Sequence, residues 1–177
     1  MNRPGLLLAL LLAVAAAEGY FGGAGTGPLF GAGLRVAGDH GRHLGWSADL
    51  VYHGGGPARA VALGGLRVDC VRLGAALLGH LRVGAVWLRA GAGARAGAAR
   101  VAGTPDSPDV VGGALFGPFA GPLVALSAGA SPGRLALELA VEGGYAVASV
   151  TGRAAGVAAL SVAGPFLGVQ LGVGVRP

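Results

Sequence analysis

The chain has 177 residues, of which 53% are hydrophobic, 37 are glycine and 10 are proline. This composition is too apolar for a disordered chain and too rich in glycine for a helical bundle, because each interior glycine costs a helix about 1 kcal/mol relative to alanine. All 13 basic residues are arginines, and they are scattered without a cluster, which excludes a nucleic-acid-binding tract.

The first seventeen residues have the pattern of a cleaved secretory signal peptide. Arg3 provides the positive start, residues 5–14 the apolar run, and Ala15, Ala16 and Ala17 the small-residue cleavage site. An uncleaved anchor helix is the competing interpretation, but the run is shorter than the roughly 20 residues that a spanning helix needs. We therefore predict a signal peptide over 1–17 and a single exported domain over 18–177.

The rest of the chain consists of segments with a two-residue period, separated by turn residues. The most regular is the last, in which Leu167, Leu171 and Val175 share one face with two valines, while glycines and Gln170 form the other. Successive side chains of a strand point to opposite faces, so this pattern predicts a strand with one apolar side. The predicted strands cover about residues 20–27, 30–36, 44–53, 59–71, 81–89, 123–130, 134–142 and 165–175.

The length of the last strand and the order of the connections favour a membrane barrel over other β folds. A strand of about 9–11 residues can cross a bilayer when tilted. If the strands alternate in direction, the longest connections, near residues 97–119 and 148–163, fall on the same side, as in transmembrane barrels with long external loops. The sequence thus predicts an all-β fold: an antiparallel up-and-down transmembrane β-barrel of about eight strands.

Charged residues alternate with the apolar ones, so they would point into the barrel. An eight-stranded barrel has an interior just wide enough for side chains to fill it, which predicts a plugged barrel and not a wide pore. The residues predicted to fill the interior are Arg35, Asp49, Arg67, Asp69, Arg82, Glu138 and Glu142.

With this alternation, loop order and signal pattern, the chain resembles the small eight-stranded outer-membrane β-barrels of Gram-negative bacteria. The resemblance covers most of the sequence after residue 17. It implies a monomer in the cell outer membrane, in contact with its lipid, with a structural or surface-interaction role and no cofactor. The connections near 97–119 and 148–163 would then contact an extracellular ligand.

Two other folds remain open on the sequence alone. Residues 110–130 and 154–175 are free of charge and long enough for transmembrane helices of an inner-membrane protein. A soluble exported β-sandwich that binds a ligand is also open, because alternation looks the same whether the apolar face points inward or outward.

An enzyme that modifies lipid is a further alternative. It would use His53, predicted at the external end of the third strand, as general base for the hydroxyl of Ser149 or Thr151 in the last external connection. A histidine at the rim beside Tyr52 with no catalytic role explains the same residues. We therefore predict no catalytic residue.

Other chemical motifs are weak. Asp39, His40 and His43 are of the types that bind metals, but on one polar turn they are better explained as solvated residues. Residues 91–96 match a loose dinucleotide fingerprint, which the high glycine content explains by chance. Cys70 is predicted to be a small apolar strand residue, unable to form an intramolecular disulfide. The sequence predicts no metal-binding or cofactor-binding residue.

Overall fold

The computed structural model describes residues 7–40, 43–55, 58–61, 64–105, 112–154 and 157–175. These residues form nine strands, and every neighbouring pair runs antiparallel. The strands are β1 (Leu7–Tyr20), β2 (Gly27–His40), β3 (Leu44–Gly54), β4 (Ala58–Val61), β5 (Gly64–Val83), β6 (Val86–Pro105), β7 (Ala114–Ala130), β8 (Leu135–Ala154) and β9 (Val157–Val175).

Eight of these strands close into a ring. Each long strand pairs with the next long strand along the chain, β3 pairs directly with β5, and β1 pairs with both β2 and β9. The short β4 is not a member of the ring and pairs only with β5. The fold is therefore the predicted up-and-down barrel, in which closure leaves no long unpaired edge.

The apolar face of each regular strand points outward. In β9, Leu167, Leu171 and Val175 are exposed, whereas Gln170 is only 2% exposed. The same alternation holds in β3 and in the first half of β8. The outward faces of these regular strands are thus apolar and their inward faces mainly small or polar. Because all the long strands close into one ring and do not form two stacked sheets, the β-sandwich alternative is wrong.

The helical alternative is also wrong. The described part of the chain contains no helix with the length and hydropathy for a membrane crossing. The two charge-free stretches that suggested helices lie largely in β7 and β9.

The two ends of the barrel differ in height. At one end, called here the short-turn end, strands are joined by residues 41–43, 84–85 and 131–134. At the other, called the tall end, β5 and β6 stay paired up to Gly64 and Pro105, although β3 stops at Gly54 opposite Asp69. The predicted loops near 97–119 and 148–163 lie at the tall end, but most of their described residues continue the strands β6 to β9.

The predicted first strand, residues 20–27, is wrong. β1 ends at Tyr20, and the chain turns before β2 begins at Gly27. Gly23 and Gly25 have positive φ values of 61° and 66°, which favour glycine and suit a turn. The first strand instead lies earlier and contains residues 7–17 of the predicted signal peptide, whose cleavage stays a prediction.

The break predicted between the strands at 59–71 and 81–89 is also wrong, because β5 runs through residues 72–80 without interruption and the hairpin turns at Gly84, which has a φ of 63°. Gly74 lies opposite Asp49 in the β3–β5 register. A Cβ at Gly74 would come within 2.9 Å of the Asp49 carboxylate. This glycine therefore makes room for a buried acid and does not mark a turn.

The continuous β5 also corrects the placement of three charged residues. Arg72 points inward, so Val68 and Cys70, four and two positions away, point inward with it. Arg67 and Asp69 therefore lie on the outside, and Arg82 is exposed at the short-turn end. The other four residues predicted for the interior are confirmed there: Arg35, Asp49, Glu138 and Glu142.

Candidate functional site

The middle of the barrel interior holds a layer of charged side chains. Seven residues from β1, β2, β3, β5, β6 and β8 point into it, and each is at most 6% exposed. Three cations face four carboxylates: Arg35, Arg72 and Arg95 against Glu18, Asp49, Glu138 and Glu142. Buried charges are tolerated when they are paired in this way.

Arg72 is the centre of this layer because it contacts three carboxylates from three different strands. Its Nη1 donates to Asp49 Oδ1 at 2.7 Å, and its Nη2 and Nε lie 3.1 Å from Glu142 Oε2 and 3.3 Å from Glu18 Oε2. The guanidinium thus connects β5 to β1, β3 and β8 across the interior. A planar group with five N–H donors suits this arrangement.

Arg35 connects β2 to β3 and β8 on the other side of Glu142 from Arg72. Its Nη1 donates to Glu142 Oε1 at 3.1 Å, its Nε lies 3.3 Å from Glu138 Oε1, and its Nη2 donates to Ser47 Oγ at 3.3 Å. The amide of Gln170 also donates to Glu142 Oε1, at 3.1 Å. Glu142 is therefore shared by both arginines, which makes the layer one connected network.

Aromatic rings cover the network on the side of the tall end. Arg95 donates to Glu18 Oε2 at 2.6 Å, and its guanidinium carbon lies 3.1 Å from the centre of the Phe166 ring. Tyr20 and Phe119 approach the same guanidinium, at 5.1 and 5.9 Å. Such cation–π contacts keep a cation stable where water is excluded.

Beyond these rings, the interior at the tall end is packed with apolar side chains that are 0–3% exposed: Leu29, Val68, Val101, Val150, Leu160 and Val162. At the short-turn end, Arg89 donates to Asp39 Oδ1 at 2.7 Å and lies 4.2 Å above the Trp87 ring. Side chains therefore fill the interior at three levels.

The residues of the enzyme alternative do not come together. His53 is fully buried and faces the interior from β3, whereas Ser149 is exposed on β8 and Thr151 hydrogen-bonds to Ser161 at 3.0 Å. Because β3 and β8 are four strands apart in the ring of eight, they lie on opposite walls. The neighbour of His53 across the β3–β5 pair is Cys70.

The other motifs also occupy structural positions. Asp39 is bound by Arg89, while His40 and His43 are exposed at the short-turn end. Among the described residues, no three His, Cys, Asp or Glu side chains come close enough to hold a metal ion. Residues 91–96 lie within β6 and form no loop between a strand and a helix. Cys70 is a strand residue in β5, as predicted, and its side chain is buried.

Sequence reasoning missed three members of the charged layer. Glu18 follows the predicted cleavage site, and Arg72 follows the end of a predicted strand. Arg95 lies in a run of glycine and alanine in which no large apolar residues show which face points outward. The even spacing of Arg72 from Val68 and Cys70 was the available signal, because residues two apart share a face.

Searches for similar proteins gave matches of structure but not of sequence. No protein-family model and no curated protein matches the chain. A major outer membrane protein from Thermus thermophilus matches with a TM-score of 0.63 at 16% identity, over 94% of this chain and 99% of that one.

Two further solved structures have the same likeness. Ail, the attachment invasion locus protein of Yersinia pestis, solved with the heparin analogue sucrose octasulfate, gives a TM-score of 0.59 at 13% identity. Neisserial surface protein A gives a TM-score of 0.58 at 15% identity. Each of these two matches covers 96% of this chain and 97% of the other chain. This chain therefore has the fold of the small eight-stranded outer-membrane β-barrels.

Proposed function

We propose that this protein spans the outer membrane as a closed barrel without an open lumen, and that its role is structural or lies in contacts at its outer surface. The observation that carries the proposal is the uncharged outward face of the barrel. On β5, seven consecutive outward positions from Val71 to Val83 are uncharged and exposed. An exposed apolar face of this extent marks contact with lipid.

The height of this face fits a bilayer. At about 3.3 Å per residue along a strand tilted by about 40°, the run from Val71 to Val83 rises about 30 Å. This equals the thickness of the hydrocarbon core, roughly 30 Å. The agreement supports a transmembrane position.

Aromatic side chains lie at both boundaries of the apolar face. Phe30, Tyr52 and Tyr145 are 48–61% exposed towards the tall end, and Trp46 is 39% exposed towards the short-turn end. Aromatic girdles at both interfaces are typical of outer-membrane barrels. They support an orientation in which the tall end points away from the cell and the short turns face the periplasm.

The filled interior argues against a pore, so the tall end is the part available for other molecules. The strands β5 to β9 project at this end. In the proposed orientation, residues 97–105, 114–119, 148–154 and 157–163 would face the outside of the cell. Ail was solved with a sulfated sugar analogue bound, and a barrel of this fold can thus bind an extracellular ligand. The proposed contact surface is this projecting part.

Fractionation with gel mobility and conductance tests the proposal. We expect the protein in the outer-membrane fraction, with a mobility in cold SDS that changes on boiling, because a closed barrel keeps every strand paired. In a planar bilayer it should pass no steady current, because side chains occupy the lumen. A protein recovered in the soluble fraction, or an open-channel conductance, would contradict the proposal.

A further inference from the structure

We propose that Arg67 and Arg100 form a binding site for the phosphate group of a lipid in the outer leaflet, at the boundary between the apolar face and the tall end. The inference rests on the proposed membrane position and names the lipid chemistry that the barrel recognises. It follows from how the outward residues of β3, β5, β6 and β7 change at this level.

Arg67 is held against the barrel wall by a fixed partner. Its Nε and Nη2 donate to Asp69 Oδ1 at 3.2 and 3.0 Å, and the hydroxyl of Tyr52 donates to the same oxygen at 2.9 Å. Although paired, the Arg67 side chain is 62% exposed. Asp69 therefore positions the guanidinium and leaves most of its surface open to a ligand from the membrane side.

Arg100 adds a second cation beside this group. It lies directly opposite Asp69 in the β5–β6 register, which makes it the diagonal neighbour of Arg67. Diagonal positions are about 7–8 Å apart, within reach of two arginine side chains. Arg100 is exposed and has no hydrogen-bond or ion-pair partner among the described residues. The three charges sum to one positive charge, with one guanidinium still unpaired.

The position of this pair points to a lipid and not to a soluble anion. The next outward residues towards the short-turn end are Val71 on β5 and Ala98 on β6, where the apolar face begins. On β7, Phe116 lies opposite Arg100 and is 72% exposed. An anion bound here would have the apolar face of the barrel next to it on the short-turn side. The headgroup phosphate of a lipid is in the same situation when the acyl chains of that lipid enter the membrane.

Arginine also suits the proposed ligand chemically. A guanidinium binds phosphate through two parallel N–H···O bonds, and such charge-assisted bonds are stronger than neutral ones. Basic groups at the membrane surface attract anionic headgroups within a short range of the interface. Arg67 and Arg100 therefore have the charge, geometry and depth for a headgroup phosphate.

The test compares two lipids that differ only in phosphate. The full-length barrel is placed in nanodiscs with equal amounts of diphosphorylated lipid A and its dephosphorylated form, and the lipid retained after extraction is measured by native mass spectrometry. We expect the wild type to retain mainly the phosphorylated lipid. In the double variant Arg67→Gln, Arg100→Gln, the ratio of phosphorylated to dephosphorylated lipid retained should fall about tenfold. A tenfold change corresponds to about 1.4 kcal/mol of binding free energy.

The matched control is Arg82→Gln, Arg134→Gln, which removes two exposed arginines at the opposite end and should keep the preference. Equal retention by both double variants would overturn the site, as would equal binding of a water-soluble glucosamine phosphate without acyl chains. Failure of the wild type to enter nanodiscs would instead contradict the proposed membrane location. The two failures are therefore distinguishable.

Discussion

Replacement of Arg72 with methionine is expected to lower the free energy of unfolding of the barrel by about 3–5 kcal/mol. Arg72 contacts Asp49, Glu18 and Glu142, each from a different strand. Methionine has a similar length but no charge, so the variant leaves Asp49 without its closest cation and Glu142 with Arg35 alone. Three carboxylates in one buried layer would then repel each other with less compensation.

The measurement is a urea titration of the folded protein in lipid vesicles. Arg82→Met serves as the control, because Arg82 is exposed at the short-turn end and its loss should leave the transition unchanged. Arg72→Lys should fall between them, since lysine keeps the charge but not the planar fork. A transition of Arg72→Met equal to that of the wild type would contradict the proposed importance of the network.

A chain that begins at Glu18 is expected to lose the closed barrel. Such a chain corresponds to cleavage of the predicted signal peptide and lacks residues 7–17 of β1, so the proposed closed barrel requires that these residues are retained. In the structure, this strand pairs with both β2 and β9. Leu12 and Val14 are at most 4% exposed inside the barrel. Without residues 7–17, most of β2 and β9 would have no partner on one side. Unpaired backbone N–H and C=O groups are costly in lipid.

Gel mobility of the refolded proteins checks this expectation. The full chain should change its mobility on boiling, while the chain from Glu18 should run in one position under both conditions. A heat-sensitive barrel from the shorter chain would show that β2 and β9 close the ring without β1. Mass spectrometry of the protein from the membrane fraction then tells whether residues 1–17 are removed in the cell.

The regular strands could be predicted because each has one uniform outward face. In β3 and in residues 167–175 of β9, every outward residue is apolar or small, and the inward residues are small or polar except Val51. A period of two is then visible without any further information. The same reasoning placed Arg35, Asp49, Glu138 and Glu142 in the interior.

β1 and the middle of β6 could not be predicted because their two faces are alike. In β1, Leu12 and Val14 point inward between outward alanines, so the strand reads as a continuous apolar run like that of a signal peptide. In β6, glycines and alanines occupy both faces around Arg95. The role of Gly74 depends on Asp49, which is distant in sequence. Such positions are decided by packing and not by local pattern.

The most direct test of the central claim, that the outer face of the barrel lies in lipid, is a pair of substitutions on β9. Leu171 lies midway along the outward face and Val175 at its short-turn edge, and both are exposed. In lipid vesicles, Leu171→Arg should lower the free energy of unfolding by about 2–4 kcal/mol and Val175→Arg by about 0–1 kcal/mol. Equal and small effects of the two substitutions would place this face in water and contradict the account.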